Sequence, residues 1–192
     1  PAALGVVFFV GSLFFTAAGY LQFYEALNND VEHAAAGNHR AAPPRPRYFG
    51  WRPRNLGYLS SLSQFAGTLL FNLNTIDGMI EGLNWKGEDL LVWTPNVLGC
   101  VCFLVASQLA VMEFSHRWFA FRPGQLPWWI VAVNMLGSIL FMASAVGSFM
   151  TPANALVSSF TAYFGTFAGA LCFLVGAYLL IPEQFEINEA KA

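Results

Sequence analysis

The chain contains long apolar stretches without a single charged residue, and these restrict its fold more than any other feature. Windows free of Asp, Glu, Lys and Arg cover residues 5–22, 57–76, 90–112 and 126–181. A helix needs about 20 mainly apolar residues to cross a bilayer, so the last window is long enough for two crossings. Only 10% of the residues are charged, against about 25% in an ordinary soluble domain. We therefore expect an integral membrane protein.

The sequence predicts five membrane-spanning helices, at 2–26, 56–80, 90–113, 126–150 and 155–181. In lipid, only helices and closed barrels satisfy all of their backbone hydrogen bonds. Barrel strands would alternate polar and apolar residues over about 10 positions. The stretches CFLVASQLAV and ALCFLVGAYLLI do not alternate in this way. The predicted fold class is therefore an all-α integral membrane protein.

The basic residues are distributed very unevenly among the predicted loops. Of the nine Lys and Arg residues, five follow the first span and two follow the third, namely Arg40, Arg45, Arg47, Arg52, Arg54, Arg117 and Arg122. Loops rich in Lys and Arg stay on the cytoplasmic side of a membrane. This pattern predicts that loops 27–55 and 114–125 and the C-terminus face the cytoplasm.

The heptapeptides RYFGWRP at 47–53 and RWFAFRP at 117–123 indicate an internal repeat. A shift of 70 residues places 47–113 on 117–183 without a gap, and 16 of the 67 aligned positions are identical. We interpret each unit as a hairpin of two helices, because internal repeats of this kind are common in membrane folds. The two heptapeptides would then be the cytoplasmic starts of the hairpins.

The first span matches the second helix of each hairpin. Residues 11–25, 99–113 and 169–183 all read Gly-x3-Phe-x5-Leu-x3-Glu. Residues 1–26 are therefore expected to be the second helix of a first hairpin, whose first helix would lie upstream in a parent protein of six helices. Between the units, 27–46 is predicted as a cytoplasmic linker and 184–192 as a cytoplasmic tail.

Two short patterns resemble the YrhK-like family of bacterial multi-pass membrane proteins. They are the first-helix stretches FAGTLLF and MLGSILF and the second-helix stretches LGCVCFLVASQLAVME and AGALCFLVGAYLLIPE. The family unit is a hairpin of two spans, although the second copy here has Ala106 where the family favours glycine. The resemblance implies a multi-pass helical fold in the plasma membrane of a bacterial cell. It implies no activity, because the family has no established one.

Three glutamates are candidates for a site because each ends a second helix: Glu25, Glu113 and Glu183. A carboxylate at a helix C-terminus opposes the helix dipole by roughly 0.3–1 kcal/mol, so its repetition calls for a reason. One reason is ion pairing with arginines of the cytoplasmic loops, Arg47, Arg52, Arg117 and Arg122. These arginines could also bind lipid headgroups. The alternative is a ring of carboxylates that draws cations or protons into a cytoplasmic mouth.

Five polar residues fall within the predicted spans: Gln64, Asn72, Asn74, Asp77 and Asn134. Gln64 and Asn134 match across the repeat. Buried amides usually hydrogen-bond a neighbouring helix, with a strength of about 1 kcal/mol, and the alternative is a polar ligand cavity. Asp77 lies near the outer end of its span, which favours a solvated position over a functional site.

The sequence contains no motif of a known catalytic or cofactor site. Walker loops, HExxH, GxSxG and CxxC are all missing, and no histidine lies within a predicted span to hold a haem. We expect no enzymatic activity, no cofactor, no metal site and no nucleic-acid partner. The leading hypothesis is a structural or accessory protein that contacts the bilayer, other membrane subunits or a second copy of itself. The alternatives are a small channel or transporter for protons, cations or a small solute, and an enzyme acting on lipid.

Overall fold

The computed structural model describes the backbone of residues 2–37 and 45–189. Its helices are α1 (Ala2–Gly37), α2 (Leu56–Asp77), α3 (Trp85–Gly87), α4 (Thr94–Ser115), α5 (Leu126–Gly147) and α6 (Ser159–Glu189). A π-helical turn at Glu88–Trp93 joins the short α3 to α4. The described residues form no strand beyond one isolated bridge between Met150 and Leu156. The predicted all-α class and the five long helices are confirmed.

Each long helix packs against the next one along the chain: α1 on α2, α2 on α4, α4 on α5 and α5 on α6. Successive helices run in opposite directions, so the connections collect at two ends of the bundle. We call one end the basic end, since it carries Arg47, Arg52, Arg117 and Arg122. The other is the acidic end, with Asp77, Glu88 and Asp89. The helices α1 and α6 stand at the two extremes of this series, and a groove runs between them.

Within the described residues, four helical segments are long and apolar enough to cross a membrane: Ala3–Asn29, Trp85–Ser115, Leu126–Gly147 and Ser159–Glu183. Their mean hydropathy lies between 1.9 and 2.1. Five such spans were expected, and α2 is the one that does not qualify. Its 22 residues would extend over about 33 Å at 1.5 Å per residue, which is long enough for a crossing. Its composition is too polar.

The polar side chains of α2 form hydrogen bonds to helices on both of its sides. Toward α1, Gln64, Asn72 and Thr75 bond to Gln22, Thr16 and Ser12 at 2.9 to 3.0 Å. Toward α4, the hydroxyls of Ser60 and Ser63 donate to backbone carbonyls at 2.8 and 2.9 Å. An unpaired polar group in lipid costs several kcal/mol. The position of α2 between two other helices therefore gives its polar side chains partners within the bundle.

The first helix continues well beyond its predicted end at residue 26, so the first part of the predicted linker 27–46 is helical. Leu27 and Asn28 are buried. The amide of Asn28 accepts a hydrogen bond from the backbone N–H of Arg47 and donates to its carbonyl, both at 2.8 Å. This pair holds the returning chain against α1. Polarity after residue 26 therefore does not end the helix.

The other helix ends differ from the predicted ones by a few residues. The second helix ends at Asp77 rather than 80, where Gly78 closes a final turn by donating to the Asn74 carbonyl. The sixth continues to Glu189, so the predicted tail 184–192 is helical for most of its length. Boundaries of apolar segments are poorly fixed by composition because the chain leaves the lipid before it leaves the helix.

Candidate functional site

Five phenylalanines meet at the centre of the bundle, and we call them the phenylalanine cluster. They are Phe15 of α1, Phe71 of α2, Phe103 of α4, Phe141 of α5 and Phe173 of α6. Ring centroids of neighbouring members lie 5.5 to 6.4 Å apart. Aromatic rings at such separations attract one another in edge-on and offset arrangements. The cluster therefore fills the middle of the bundle with apolar rings.

Two pairs of glycines bring neighbouring helices into close contact beside this cluster. A methyl group added to Gly99 would lie 3.1 Å from the Gly67 carbonyl oxygen, which joins α4 to α2. A methyl group added to Gly169 would lie 3.1 Å from the Gly137 carbonyl oxygen, which joins α6 to α5. Small residues permit such approach in membranes, where packing and hydrogen bonds hold helices together.

The predicted glutamate and arginine residues lie at the basic end. The Glu113 carboxylate accepts a hydrogen bond from the backbone N–H of Gly57, in the first turn of α2. The N-terminal N–H groups of a helix lack partners within the helix, and a negative charge there is favourable. Glu113 thus disfavours the end of its own helix and stabilises the start of the neighbouring one. Glu25 is exposed and Glu183 is half-buried. The prediction that each of these two residues ends its helix is wrong, because α1 continues to Gly37 and α6 to Glu189.

The arginines at this end have different surroundings. Arg47 and Arg117 have exposed side chains, while their backbone N–H groups bond to Asn28 and Ser115 respectively. The guanidinium of Arg122 lies 5.9 Å from the centre of the Phe114 ring, within the range of a cation–π contact. Arg52 is half-buried.

The predicted intramembrane polar residues are placed on helix contacts and on cavity walls. Gln64 donates to Gln22 at 3.0 Å, and Asn134 lies against Gly176, where an added methyl group would collide with its amide. Asn72 donates to Thr16 at 2.9 Å, and its own amide oxygen is buried without a described partner. Asp77 is the last residue of α2. Gln64 and Asn134 line the same cavity, between α1 and α6, whereas Asn74 lines a second cavity near the acidic end. Both cavities are described below.

A cavity of about 560 Å³ opens toward the acidic end, and we call it the acidic-end cavity. Its polar lining comes mainly from Asn74, Glu88, Asp89, Asn96, Ser148 and Tyr163, and the rest is largely apolar. The π-helical turn forms one of its sides. Turns of this type frequently occur at functional sites, and an apolar cavity with a few polar groups is the usual form of a small-molecule site.

Three hydrogen bonds join the π-helical turn to α2, to α5 and to the segment that follows α5. Asn74 of α2 donates to the Val92 carbonyl at 2.8 Å, and the indole of Trp93 donates to the Ala145 carbonyl of α5 at 2.7 Å. The Asp89 carboxylate accepts the backbone N–H of Met150 at 2.9 Å. Each bond ties the turn to the surrounding bundle, so the wall of the cavity is a defined surface.

A second cavity of about 440 Å³ follows the space between α1 and α6, and we call it the α1–α6 groove. Phe8, Phe71, Thr166 and Ala170 line both cavities, so the groove continues from the acidic-end cavity along the bundle. Its lining is mainly apolar, with Gln22, Gln64 and Asn134 as its long polar side chains.

The π-helical turn was not predicted from the sequence, and of the polar residues around it only Asn74 was a candidate. The only local signal is Pro95, which cannot donate to the carbonyl four residues earlier and crowds it; a wider turn just before the proline accommodates this. Among the side chains that the structure describes, no three His, Cys, Asp or Glu residues are grouped as a metal site would need. No protein-family model, no curated protein and no solved structure matches the chain.

Proposed function

We propose that this protein has a structural or accessory role in the plasma membrane of a bacterial cell, as part of a larger membrane complex. The observation that carries the proposal is the phenylalanine cluster. It occupies the centre of the bundle, the place where a channel or transporter would need a polar path. The resemblance to YrhK-like hairpins agrees with this proposal but adds no activity to it.

The polar residues within the helices also support a structural role. Transporters and channels usually place ionisable groups or broken helices at mid-membrane. Here Gln64 and Asn74 use their amides to bond neighbouring helices. In the part of the chain that the structure describes, the one departure from regular α-helix along the long helical segments is the π-helical turn before α4, which lies at the acidic end. The charged side chains of the described residues likewise lie at the ends of the bundle.

We propose further that the basic end faces the cytoplasm and that α2 is a fifth crossing. The aromatic side chains beside the arginines support this orientation. Phe49, Trp51, Trp118 and Phe119 are 71 to 77% exposed, as suits aromatic residues that sit among lipid headgroups. The arginines beside them suit the anionic inner leaflet. Labelling of the variant Arg54→Cys with a membrane-impermeant maleimide tests the orientation. In intact cells a cytoplasmic cysteine at this position should not react with the reagent.

Purified protein in liposomes provides the main test. We expect proton and potassium flux equal to that of empty liposomes, because the phenylalanine cluster fills the centre of the bundle with apolar rings. Solubilisation of native membranes in a mild detergent should give a particle larger than the protein with its detergent belt. Flux above background that disappears in the triple variant Glu25→Gln, Glu113→Gln, Glu183→Gln would instead establish a cation channel and refute the structural role.

The acidic-end cavity supports a second candidate, the binding of a small solute. Its 560 Å³ falls within the usual range for ligand pockets, about 300–1,000 Å³. Native mass spectrometry of the purified protein would reveal a bound molecule by its mass. The variant Ser148→Phe fills the cavity and should abolish that mass, whereas a variant with the same change at exposed Ser159 should retain it. Protein free of any bound molecule in both variants and in the wild type would exclude this candidate.

A further inference from the structure

One face of α1 is uncovered, although the corresponding faces of α4 and α6 are packed. Val7 and Phe14 are 67% and 75% exposed. Gly11, which lies between them, and Ala18, one turn after Phe14, are exposed as well. In the pattern shared by the three helices, Gly11 corresponds to Gly99 and Gly169, and Ala18 to Ala106 and Gly176. All four of those residues are buried.

The surroundings of Gly11 show what is missing. A methyl group added to Gly11 would have no atom within 4 Å, whereas at Gly99 and Gly169 it would meet the carbonyl oxygen of a facing glycine at 3.1 Å. Glycine within a helix costs about 1 kcal/mol relative to alanine in water. In membranes glycine is favoured where another helix approaches closely. No helix of the described chain approaches Gly11.

The facing wall of the α1–α6 groove is uncovered too. Ala170, Leu174 and Ala177 of α6 line the groove and are exposed. Under the 70-residue shift, Ala170 and Ala177 correspond to Cys100 and Ser107 of α4. Both of those side chains are buried against α5: Cys100 reaches the Phe141 carbonyl at 3.4 Å, and Ser107 reaches the Ser138 hydroxyl at 2.7 Å.

The groove is thus bounded by two surfaces that elsewhere in the bundle each receive a helix of the α2 or α5 type. The surface on α1 corresponds to the surface of α4 that contacts α2. It also corresponds to the surface of α6 that contacts α5. The surface on α6 matches the one that α4 presents to α5. One helix placed in the groove would satisfy both surfaces and close the series of helices into a ring.

We propose that the α1–α6 groove receives a sixth membrane-spanning helix of the α2 and α5 type, which precedes α1 in the same polypeptide. Its glycine lies opposite Gly11. Its phenylalanine, four residues later as in Gly67 with Phe71 and Gly137 with Phe141, joins the phenylalanine cluster as a sixth ring. The helix runs from the basic end to the acidic end, where α1 begins, so a short turn suffices to connect the two.

Photo-crosslinking of the full natural polypeptide in its own membranes tests the proposal. Phe14 is replaced by benzoylphenylalanine, a close analogue of the residue it replaces. Irradiation should give an internal crosslink, so that the product keeps the mass of one polypeptide. Peptide mapping should place the partner on a segment N-terminal to α1 that carries a glycine four residues before a phenylalanine. The matched control is Phe164, which is exposed on α6 and lines neither cavity; it should crosslink to lipid.

Each other outcome overturns the proposal. A crosslink from position 14 to lipid alone means that the groove is open to the bilayer. A product with the mass of two polypeptides means that a separate chain or a second copy fills it. The variant Gly11→Leu should abolish the internal crosslink while Val10→Leu retains it, and equal crosslinking in both would also refute the close contact. None of these results depends on the proposed function, which a flux measurement tests separately.

Discussion

Glycine-to-alanine substitutions along the helix contacts provide the sharpest test of the packing. At Gly67 the added methyl group would lie 2.6 Å from Cε1 of Phe103 and 3.0 Å from the carbonyl oxygen of Gly99. The ring belongs to the phenylalanine cluster and the carbonyl belongs to a helix backbone, so neither can move away easily. At Gly11 the same methyl group meets nothing within 4 Å.

The expected size of the effect follows from two opposing terms. Replacing glycine by alanine in a helix stabilises it by about 1 kcal/mol. Forcing a methyl group into a filled core costs about 1–3 kcal/mol, and the contacts at Gly67 are short enough for the upper part of that range. We therefore expect Gly67→Ala to be destabilised by about 1–2 kcal/mol. In the chain of 192 residues, Gly11→Ala should be unchanged or stabilised by up to about 1 kcal/mol.

The free energy of unfolding can be measured by titrating the protein from mild detergent into SDS while helicity is followed by circular dichroism. Gly99→Ala should fall between the other two variants, because its nearest contact is 3.1 Å. Equal stability of Gly67→Ala and Gly11→Ala would refute the packing of α2 on α4 described above. A large loss in Gly11→Ala would mean that the face of α1 is already covered in this chain.

Three further changes test other contacts by the same titration. Phe103→Ala should cost about 3 kcal/mol, because it leaves a cavity in the phenylalanine cluster; a loss below about 1 kcal/mol would show that the rings collapse to fill it. Glu113→Ala removes a hydrogen bond to a charged group, worth about 1.5–3 kcal/mol, and relieves an unfavourable dipole interaction of about 0.3–1 kcal/mol at the end of α4. The net loss should be about 1 kcal/mol, whereas Glu25→Ala should leave the midpoint unchanged. Asn74→Ala removes the hydrogen bond to the Val92 carbonyl and should cost about 1 kcal/mol, with faster hydrogen exchange confined to the π-helical turn. Uniform exchange in that variant would contradict the proposed role of the amide.

The long helices could be predicted because each charge-free window has the length of one helix that crosses a bilayer, or of two in the case of 126–181. That physical constraint acts on composition alone, so the sequence reveals it directly. The composition does not reveal how far a helix extends beyond the lipid. The continuation of α1 to Gly37 depends on local helix preference and on the bonds of Asn28 to Arg47, which connect residues 19 positions apart.

The contacts of the candidate site could be predicted from the sequence less well than the long helices. Glu113 was recognised as unusual, since it ends its own helix unfavourably, but its bond to Gly57 joins two helices and has no local signal. The acidic-end cavity depends on the π-helical turn, and its polar residues come from several helices. The tandem relation between 47–113 and 117–183 stays a prediction, and the matching glycine contacts give it a physical basis that can be tested.

The polar character of α2 has a consequence for how the protein is made. A segment with amides such as Gln64, Asn72 and Asn74 gains little from entering lipid alone, because insertion of a nascent helix depends on its summed transfer free energy. Its hydrogen-bond partners on α1 are synthesised before it, and those on α4 after it. Insertion of α2, as the fifth crossing proposed above, would therefore depend on both of its neighbours. The segment would stay beside α1 at the translocon until α4 emerges. The three helices would then enter the bilayer together.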